Sequence, residues 1–310
     1  MSGSPMAIQI ENVYKKFGKY TALDNLSLHV GYGEIYGFLG LNGAGKTTTI
    51  KMLLAMIRPN AGSLWIMGEK VDAGNYNLWG KIGYLEEVTF YPGLTALENL
   101  DIARRMQGVS DKDSIQKVID KLKLNPHINK KARHLSLGNK QRLGLAKALI
   151  HDPKILILDE PINGLDPAGI VEIRELIRDL SANLGITVFM SSHLLEELSK
   201  LATRIGIIHE GRLIEEIKAD ELERELKKCL ILDGKDKASI RQILAKKGYA
   251  FETDQQGCIR LTDENSVQNP ERLVELLVKS GQAPTMVNVF TEDLESYFLR
   301  KISDDKEGYK

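Results

Sequence analysis

Alternating and continuous apolar positions divide the chain into a strand-rich start, a helical middle, and a strand–helix second half. Ala7–Val13 alternates apolar with polar residues (Ile8, Ile10, Val13), and Leu26–Val30 does the same with Leu26, Leu28 and Val30. Both patterns predict half-exposed strands. Glu34–Leu39 is a short apolar run that predicts a buried strand, and Thr47–Met56 predicts a helix. The turn Arg58-Pro59-Asn60-Ala61-Gly62 leads into a short strand at Ser63–Met67, with another at Lys81–Leu85. The period then changes. Thr95-Ala96-Leu97-Glu98 is a capping box opening a helix to about Met106, and Ile115, Val118, Ile119 and Leu122 form an amphipathic stripe. The stretch from about Val88 to Ile150 therefore reads as mostly helical.

After it, the all-apolar strand Ile155–Leu158 is followed by a helix at Ile170–Leu180, a buried strand at Gly185–Met190 and a helix at Leu194–Leu201. A further helix is expected at Arg142–Ile150. Continuous apolar strands alternating with helices predict an α/β fold with a mainly parallel sheet covered on both faces. Arg204–His209 and Arg212–Lys218, joined at Glu210-Gly211, read as a closing hairpin. Charge rises through Lys218–Lys228, expected to be helix and boundary. Beyond it Cys229–Leu232, Ala238–Lys246, Ala250–Leu261, Pro270–Ser280 and Met286–Phe290 suggest strand–helix–strand–helix–strand, with Thr291–Lys301 a last helix. The expected organisation is a domain over 7–218, its helical part at about 88–150, and a small α+β domain over 229–301. Met1–Pro5 is set aside as an expression scar or a disordered end.

Composition narrows the classes. The 310 residues are 43% hydrophobic and 27% charged, enough for a proper core. Lys+Arg 42 against Asp+Glu 42 leaves no net charge, which argues against bulk attraction to nucleic acid. Cys229 and Cys258 fit no zinc or redox spacing. No apolar run approaches the ~18 residues of a spanning helix, so any membrane role runs through another chain.

The chemistry centres on Gly40-Leu41-Asn42-Gly43-Ala44-Gly45-Lys46-Thr47-Thr48, which fits G-x-x-x-x-G-K-[ST] at every fixed position. Between a strand and a helix, such a loop turns successive N–H groups inward as a nest for anionic oxygens. The helix start adds unpaired N–H groups and the positive dipole end. Lys46 then reaches the β- and γ-phosphates of a nucleoside triphosphate, and the Thr47 hydroxyl can ligate Mg²⁺. The second element is the apolar strand ending in Asp159-Glu160. Asp159 can hold the metal across from Thr47, and Glu160 can orient the water that attacks the γ-phosphate.

The third element, Leu135-Ser136-Leu137-Gly138-Asn139-Lys140-Gln141-Arg142, resembles the signature of ATP-binding cassette (ABC) ATPases. The other landmarks follow in that family's order over roughly Ile8–Lys218. The resemblance implies that Ser136 and Gly138 bind the γ-phosphate of ATP held by a second nucleotide-binding subunit, a homodimer in the simplest case. It also implies that Phe17 stacks on adenine, that His193 contacts the γ-phosphate and links Glu160 to the opposite subunit, and that Asp166 in Asn163-Gly164-Leu165-Asp166 crosses the interface. His29, His127, His134, His151 and His209 read as structural or surface residues. Two positions depart from the family pattern. Glu87 stands where a metal-ligating glutamine is usual, and Leu137 where glycine is commonest. The Glu87 exchange, the Leu-Ser-Leu-Gly signature and the Asn-Gly-Leu-Asp loop resemble the bacitracin and lantibiotic resistance branch.

The function implied is a Mg²⁺-dependent ATPase that powers a separate transmembrane permease, exporting a peptide or antibiotic, with no nucleic-acid partner. Its expected place is cytoplasmic, on the inner face of the cell membrane through that permease. Two rivals carry less. A soluble ABC protein acting on ribosomes or DNA would bring a second cassette or a long coiled coil. A GTP-binding switch would bring an Asn-Lys-x-Asp motif. Neither feature is in the sequence.

Overall fold

The structure is a computed structural model that describes residues 6–85, 90–254 and 257–307. The expectations for Met1–Pro5 and for Glu87 fall outside the described residues. The chain divides into two compact units, one running to Glu221 and taking back the chain from Asp305, the other Leu222–Asp304.

The first unit opens with β1 (Met6–Phe17) and β2 (Tyr20–Gly31), antiparallel about a turn whose Gly18 has φ +59°. Both strands extend beyond their clean alternation, because register shifts around Asn12, itself at φ +49°, break the period without ending the pairing. Next come β3 (Ile35–Leu39), α1 (Lys46–Leu53), β4 (Ala61–Ile66), β5 (Glu69–Lys70), α2 (Tyr76–Trp79) and β6 (Ile82–Leu85). The helical middle holds α3 (Ala96–Met106), α4 (Asp113–Lys121) and α5 (Leu137–Leu149). The capping box of α3 is fully formed: Thr95 accepts from the Glu98 N–H, and the Glu98 carboxylate accepts from the Thr95 N–H at 2.7 Å. The rest of the unit is β7 (Ile155–Leu158), α6 (Pro167–Leu184), β8 (Thr187–Ser192), α7 (Leu195–Ser199), β9 (Arg204–His209) and β10 (Arg212–Lys218).

Two sheets result. One is antiparallel, in the order β2-β1-β4-β5. The other runs β10-β9-β3-β8-β7-β6, parallel except for β10, which hairpins onto β9. Every residue of β3, β7 and β8 is buried, which is why these strands read as continuous rather than alternating. Phe189 stacks on Tyr36 at 5.6 Å and meets Phe38 tilted at 5.3 Å, and the three rings join Ile8, Ile10, Leu26 and Ile50 in one core. Burying each of these aliphatic side chains contributes roughly 1.5–3 kcal/mol. The parallel strands share one direction, so the turns after β3, β7 and β8 gather at their carboxyl ends, where α/β sheets bind ligands.

The second unit contains α8 (Leu222–Glu225), β11 (Lys228–Asp233), α9 (Lys237–Lys246), β12 (Glu252–Thr253), β13 (Ile259–Leu261), α10 (Glu264–Gln268), α11 (Pro270–Lys279), β14 (Met286–Thr291) and α12 (Leu294–Glu307) up to Asp304. Its sheet is antiparallel, in the order β12-β13-β11-β14. Leu230, Leu232, Ile259 and Leu261 pack against Ile240 and Leu244 of α9 and Leu273 and Leu277 of α11.

Several boundaries differ from expectation. α5 starts at Leu137 rather than Arg142, because the Ser136 hydroxyl caps it by accepting from the Asn139 N–H. α6 runs four residues past Leu180 to a left-handed Gly185. Lys218–Lys228 holds only the single turn of α8. Ala250–Leu261 carries two short strands, β12 and β13, and the Asp254 side chain accepts from the Cys258 N–H between them.

Candidate nucleotide site

The loop between β3 and α1 depends on glycine at two places. A Cβ on Gly40 would lie 2.7 Å from the Ile208 carbonyl oxygen, and one on Gly45 2.7 Å from Leu23 Cδ2 and 2.9 Å from the Ala22 carbonyl. Gly45 also holds φ +113° as the residue before α1, which has no side-chain cap. The first-turn N–H groups of α1 are therefore left for an anion.

Lys46 begins that helix and is only 6% exposed. Its ammonium donates to the Gly40 carbonyl at 2.5 Å and the Leu41 carbonyl at 3.3 Å, and sits 3.5 Å from Glu160 Oε1. Thr47 Oγ1 donates to Asp159 Oδ2 at 3.2 Å. His193 Nδ1 lies 2.9 Å from Glu160 Oε2. Five predicted residues from three separate segments thus meet at the carboxyl ends of β3, β7 and β8.

Ser191 completes this group and was missed from sequence. Its hydroxyl donates to Asp159 Oδ1 at 2.6 Å and accepts from the Glu160 N–H at 3.0 Å. One side chain on β8 therefore fixes both acidic residues after β7. Glu160 needs that support, because it lies in the left-handed region at φ +49°. A non-glycine residue there costs about 1 kcal/mol or more and persists where its surroundings over-determine it.

A cleft of about 830 Å³ opens over these groups. It is lined by Leu41, Asn42, Gly43, Gly45, Lys46, Thr47 and Thr48, by Asp159, Glu160 and Asn163, and by Tyr20. Ala44, within the same loop, is buried. Tyr20 is a second residue that sequence reading did not single out; its hydroxyl donates to the Gly43 carbonyl at 3.1 Å. Phe17 is its cross-strand partner. The Phe17 ring is 47% exposed beneath the Lys15 ammonium, 4.9 Å from its centroid, and is outside the cleft lining.

Leu137, Lys140 and Gln141 of α5 also line the cleft, whereas Ser136 and Gly138 do not. The Leu137 side chain reaches toward Gly164: its Cδ2 would lie 3.4 Å, an ordinary contact, from a Cβ added there. Asp166 caps α6, accepting from the Gly169 N–H at 2.9 Å. Thr47 and Asp159 offer a hydroxyl and a carboxylate oxygen from adjacent segments. That hard-oxygen pair suits Mg²⁺, which takes one or two protein oxygens and completes its shell with phosphate and water. Among the described residues no cluster of His, Cys, Asp and Glu forms an all-protein metal cage.

Comparison with known proteins gives this arrangement its relatives. The ABC transporter family profile matches residues 23–163. The chain is 41% identical over 298 residues to the bacitracin transport ATP-binding protein BcrA of Bacillus licheniformis, covering 95% of this chain and 97% of that one. It is 39% identical over 216 residues to the lantibiotic transport ATP-binding protein SrtF of Streptococcus pyogenes, covering 70% of this chain and 93% of that one. Among solved structures, the dimeric post-hydrolysis ATP-binding cassette MJ0796, bound to ADP and Pi, superposes with a TM-score of 0.61 at 27% identity. That match covers 68% of this chain and 98% of the cassette. With a relative 41% identical over nearly its whole length, the chain belongs to the ABC transporter family, among its ATP-binding subunits.

Proposed function

We propose that this chain hydrolyses MgATP in a dimer and thereby drives a separate transmembrane permease that exports a peptide antibiotic. The observation that carries the reading is the convergence of Lys46, Thr47, Asp159 and Glu160 on one cleft, with His193 joined to Glu160 from beyond its lining. Lys46 and the loop N–H groups bind the β- and γ-phosphates. Thr47 and Asp159 would hold Mg²⁺, with Glu87 as a further oxygen toward it. The ion, when bound, neutralises charge on the phosphate oxygens. Glu160 orients the attacking water and accepts its proton as the new bond to the γ-phosphorus forms. The bond to the bridging oxygen breaks, and its electron pair leaves with ADP. His193 holds Glu160 in line and reaches the γ-phosphate. Ser136 and Gly138, at the capped start of α5, serve the nucleotide of the second subunit. Their position outside the cleft of their own chain supports this.

The permease and the cargo class are supported by the bacitracin and lantibiotic relatives. No described helix is long and apolar enough to cross a membrane. The place of action is then the inner face of the cell membrane, through the permease, with no nucleic-acid partner. The test is to co-express the tagged chain with any multi-span membrane protein that a neighbouring reading frame encodes. We expect the two to co-purify, and inverted vesicles holding both to take up a bacitracin-type peptide only with ATP. Co-sedimentation with ribosomes or DNA instead would overturn the reading.

Phe17 is proposed as the adenine platform, its ring being half exposed with the Lys15 ammonium over one face. Base–aromatic stacking contributes ~1–3 kcal/mol and tolerates any base. Phe17→Ala should therefore weaken ATP and GTP binding alike, by about 5- to 150-fold in a fluorescent-nucleotide titration. If Tyr20→Ala does so and Phe17→Ala does not, the platform is Tyr20.

A further inference from the structure

The sheet of the second unit has two unlike edges. β12 closes one edge with only two residues, one of them the charged Glu252. Short and charged is how soluble proteins blunt an edge against further pairing. β14 forms the other edge with six residues, Met286-Val287-Asn288-Val289-Phe290-Thr291, that include no charge and no proline. Met286, Val287, Val289 and Phe290 are each 37–41% exposed.

The register to β11 sorts these side chains. Val287 and Val289 stand opposite the buried Leu232 and Leu230, while Met286 and Phe290 stand opposite Asp233 and Cys229. Opposed residues in an antiparallel pair share a face. β14 is therefore apolar on both faces, the composition of an interior strand rather than an edge. The Glu292 N–H donates to the Lys227 carbonyl at 2.8 Å, which sets the alternation of the ladder. Phe290, Asn288 and Met286 turn their main-chain groups toward β11, and Val289 and Val287 turn theirs to the open edge. Among the described residues no strand covers that edge.

We propose that β14 pairs antiparallel with β14 of a second copy of this chain, about a two-fold axis through Asn288, joining two C-terminal sheets into one. The strand is self-complementary in that register. Met286 falls opposite Phe290 of the second copy, a sulfur–aromatic contact, and Val287 falls opposite Val289. The outward main-chain groups of Val287 and Val289 then bond each other, and Asn288 meets its own copy. No like charges are brought together: Glu292 falls opposite Pro284 and is already paired with Arg300 at 2.8 Å. Two strands this short cover less than the ~1,200 Å² of a stable free-standing interface. The second copy is nonetheless the occupant of choice, because cassettes of this fold dimerise. Each C-terminal unit is then tethered beside its twin at an effective concentration of about millimolar. The strength of the pairing, though not its register, thus rests on the cassette dimer of the proposed function.

The test is a cysteine scan in the full chain, with Cys229→Ser in place and Cys258 left buried. In the Glu160→Gln background with MgATP, Asn288→Cys should give a disulfide-linked dimer under mild oxidant. Val287→Cys should cross-link at least tenfold more slowly, because the axis sets it opposite Val289. Adding Val287→Lys and Val289→Lys to Asn288→Cys should abolish the cross-link and leave ATP turnover of the otherwise wild-type chain unchanged. An Asn288→Cys chain that stays monomeric on the denaturing gel while gel filtration shows a nucleotide-bound dimer would overturn the edge pairing and leave the cassette reading standing. Equal cross-linking at the two positions, or cross-linking to the permease instead, would overturn it as well. If the nucleotide dimer itself never forms, the function reading fails, and the 288-over-287 preference at high protein concentration without nucleotide still decides the pairing.

Discussion

Glu160→Gln should lower ATP turnover by about 10²- to 10⁴-fold while leaving ATP tightly bound, the span that loss of a positioned general base produces. The substitution keeps shape and removes only the carboxylate's charge and basicity. The Glu160 N–H still reaches Ser191 Oγ, and an amide oxygen can still face Lys46 or His193. The left-handed backbone at φ +49° is held from the main chain, so the loop should stay in place. ATP binding should therefore survive, since in the proposed function the phosphates are met by Lys46 and the loop N–H groups. With hydrolysis blocked, the bound triphosphate should accumulate the closed dimer, seen by gel filtration with MgATP as a mass twice that of the nucleotide-free chain. Wild-type turnover would remove Glu160 from its role.

The phosphate loop was legible because its fixed residues are consecutive in the chain. The groups that crowd a Cβ on Gly40 and Gly45, by contrast, come from Ile208, Ala22 and Leu23 and show only in the fold. The acidic pair after β7 was legible for a similar reason, since an apolar strand that ends abruptly in two carboxylates is a local pattern. Ser191 was not legible. It meets Asp159 across a gap of 32 residues, through a register that sets Leu158 beside Met190 on neighbouring parallel strands. That register is a property of the assembled sheet. Tyr20 escaped notice likewise, because only the β1–β2 hairpin brings its hydroxyl to Gly43.

Boundaries failed where capping or turns overrode periodicity. The apolar stripe of α5 begins late, so the expected helix began at Arg142, yet the Ser136 cap starts it five residues earlier. This moves the signature from a loop before a helix to the helix's own first turns, where dipole and free N–H groups act together. In the second unit β14 was expected as a strand, but sequence alone did not tell that it would lie at an edge with both faces apolar.

Lys46→Ala should raise the dissociation constant for ATP by about 100-fold or more and abolish measurable turnover. Truncating one partner of a buried charge pair typically costs ~2–5 kcal/mol. The ammonium here is 6% exposed and bonded to two carbonyls of its own loop, so its position is set before nucleotide arrives. Little ordering cost then opposes its contacts with the β- and γ-phosphates. ADP binding should weaken too, because the β-phosphate contact is shared. Lys46→Arg should fail to rescue: a planar guanidinium is bulkier than an ammonium and does not fit a side-chain site only 7% exposed. Calorimetric titration of both variants checks the affinities. Thermal unfolding without nucleotide separates a binding loss from misfolding, with a shift of only a few degrees expected. Wild-type affinity in Lys46→Ala would contradict the loop assignment, because no other described lysine or arginine except Lys140 lines the cleft, and Lys140 enters it from α5 rather than from the loop.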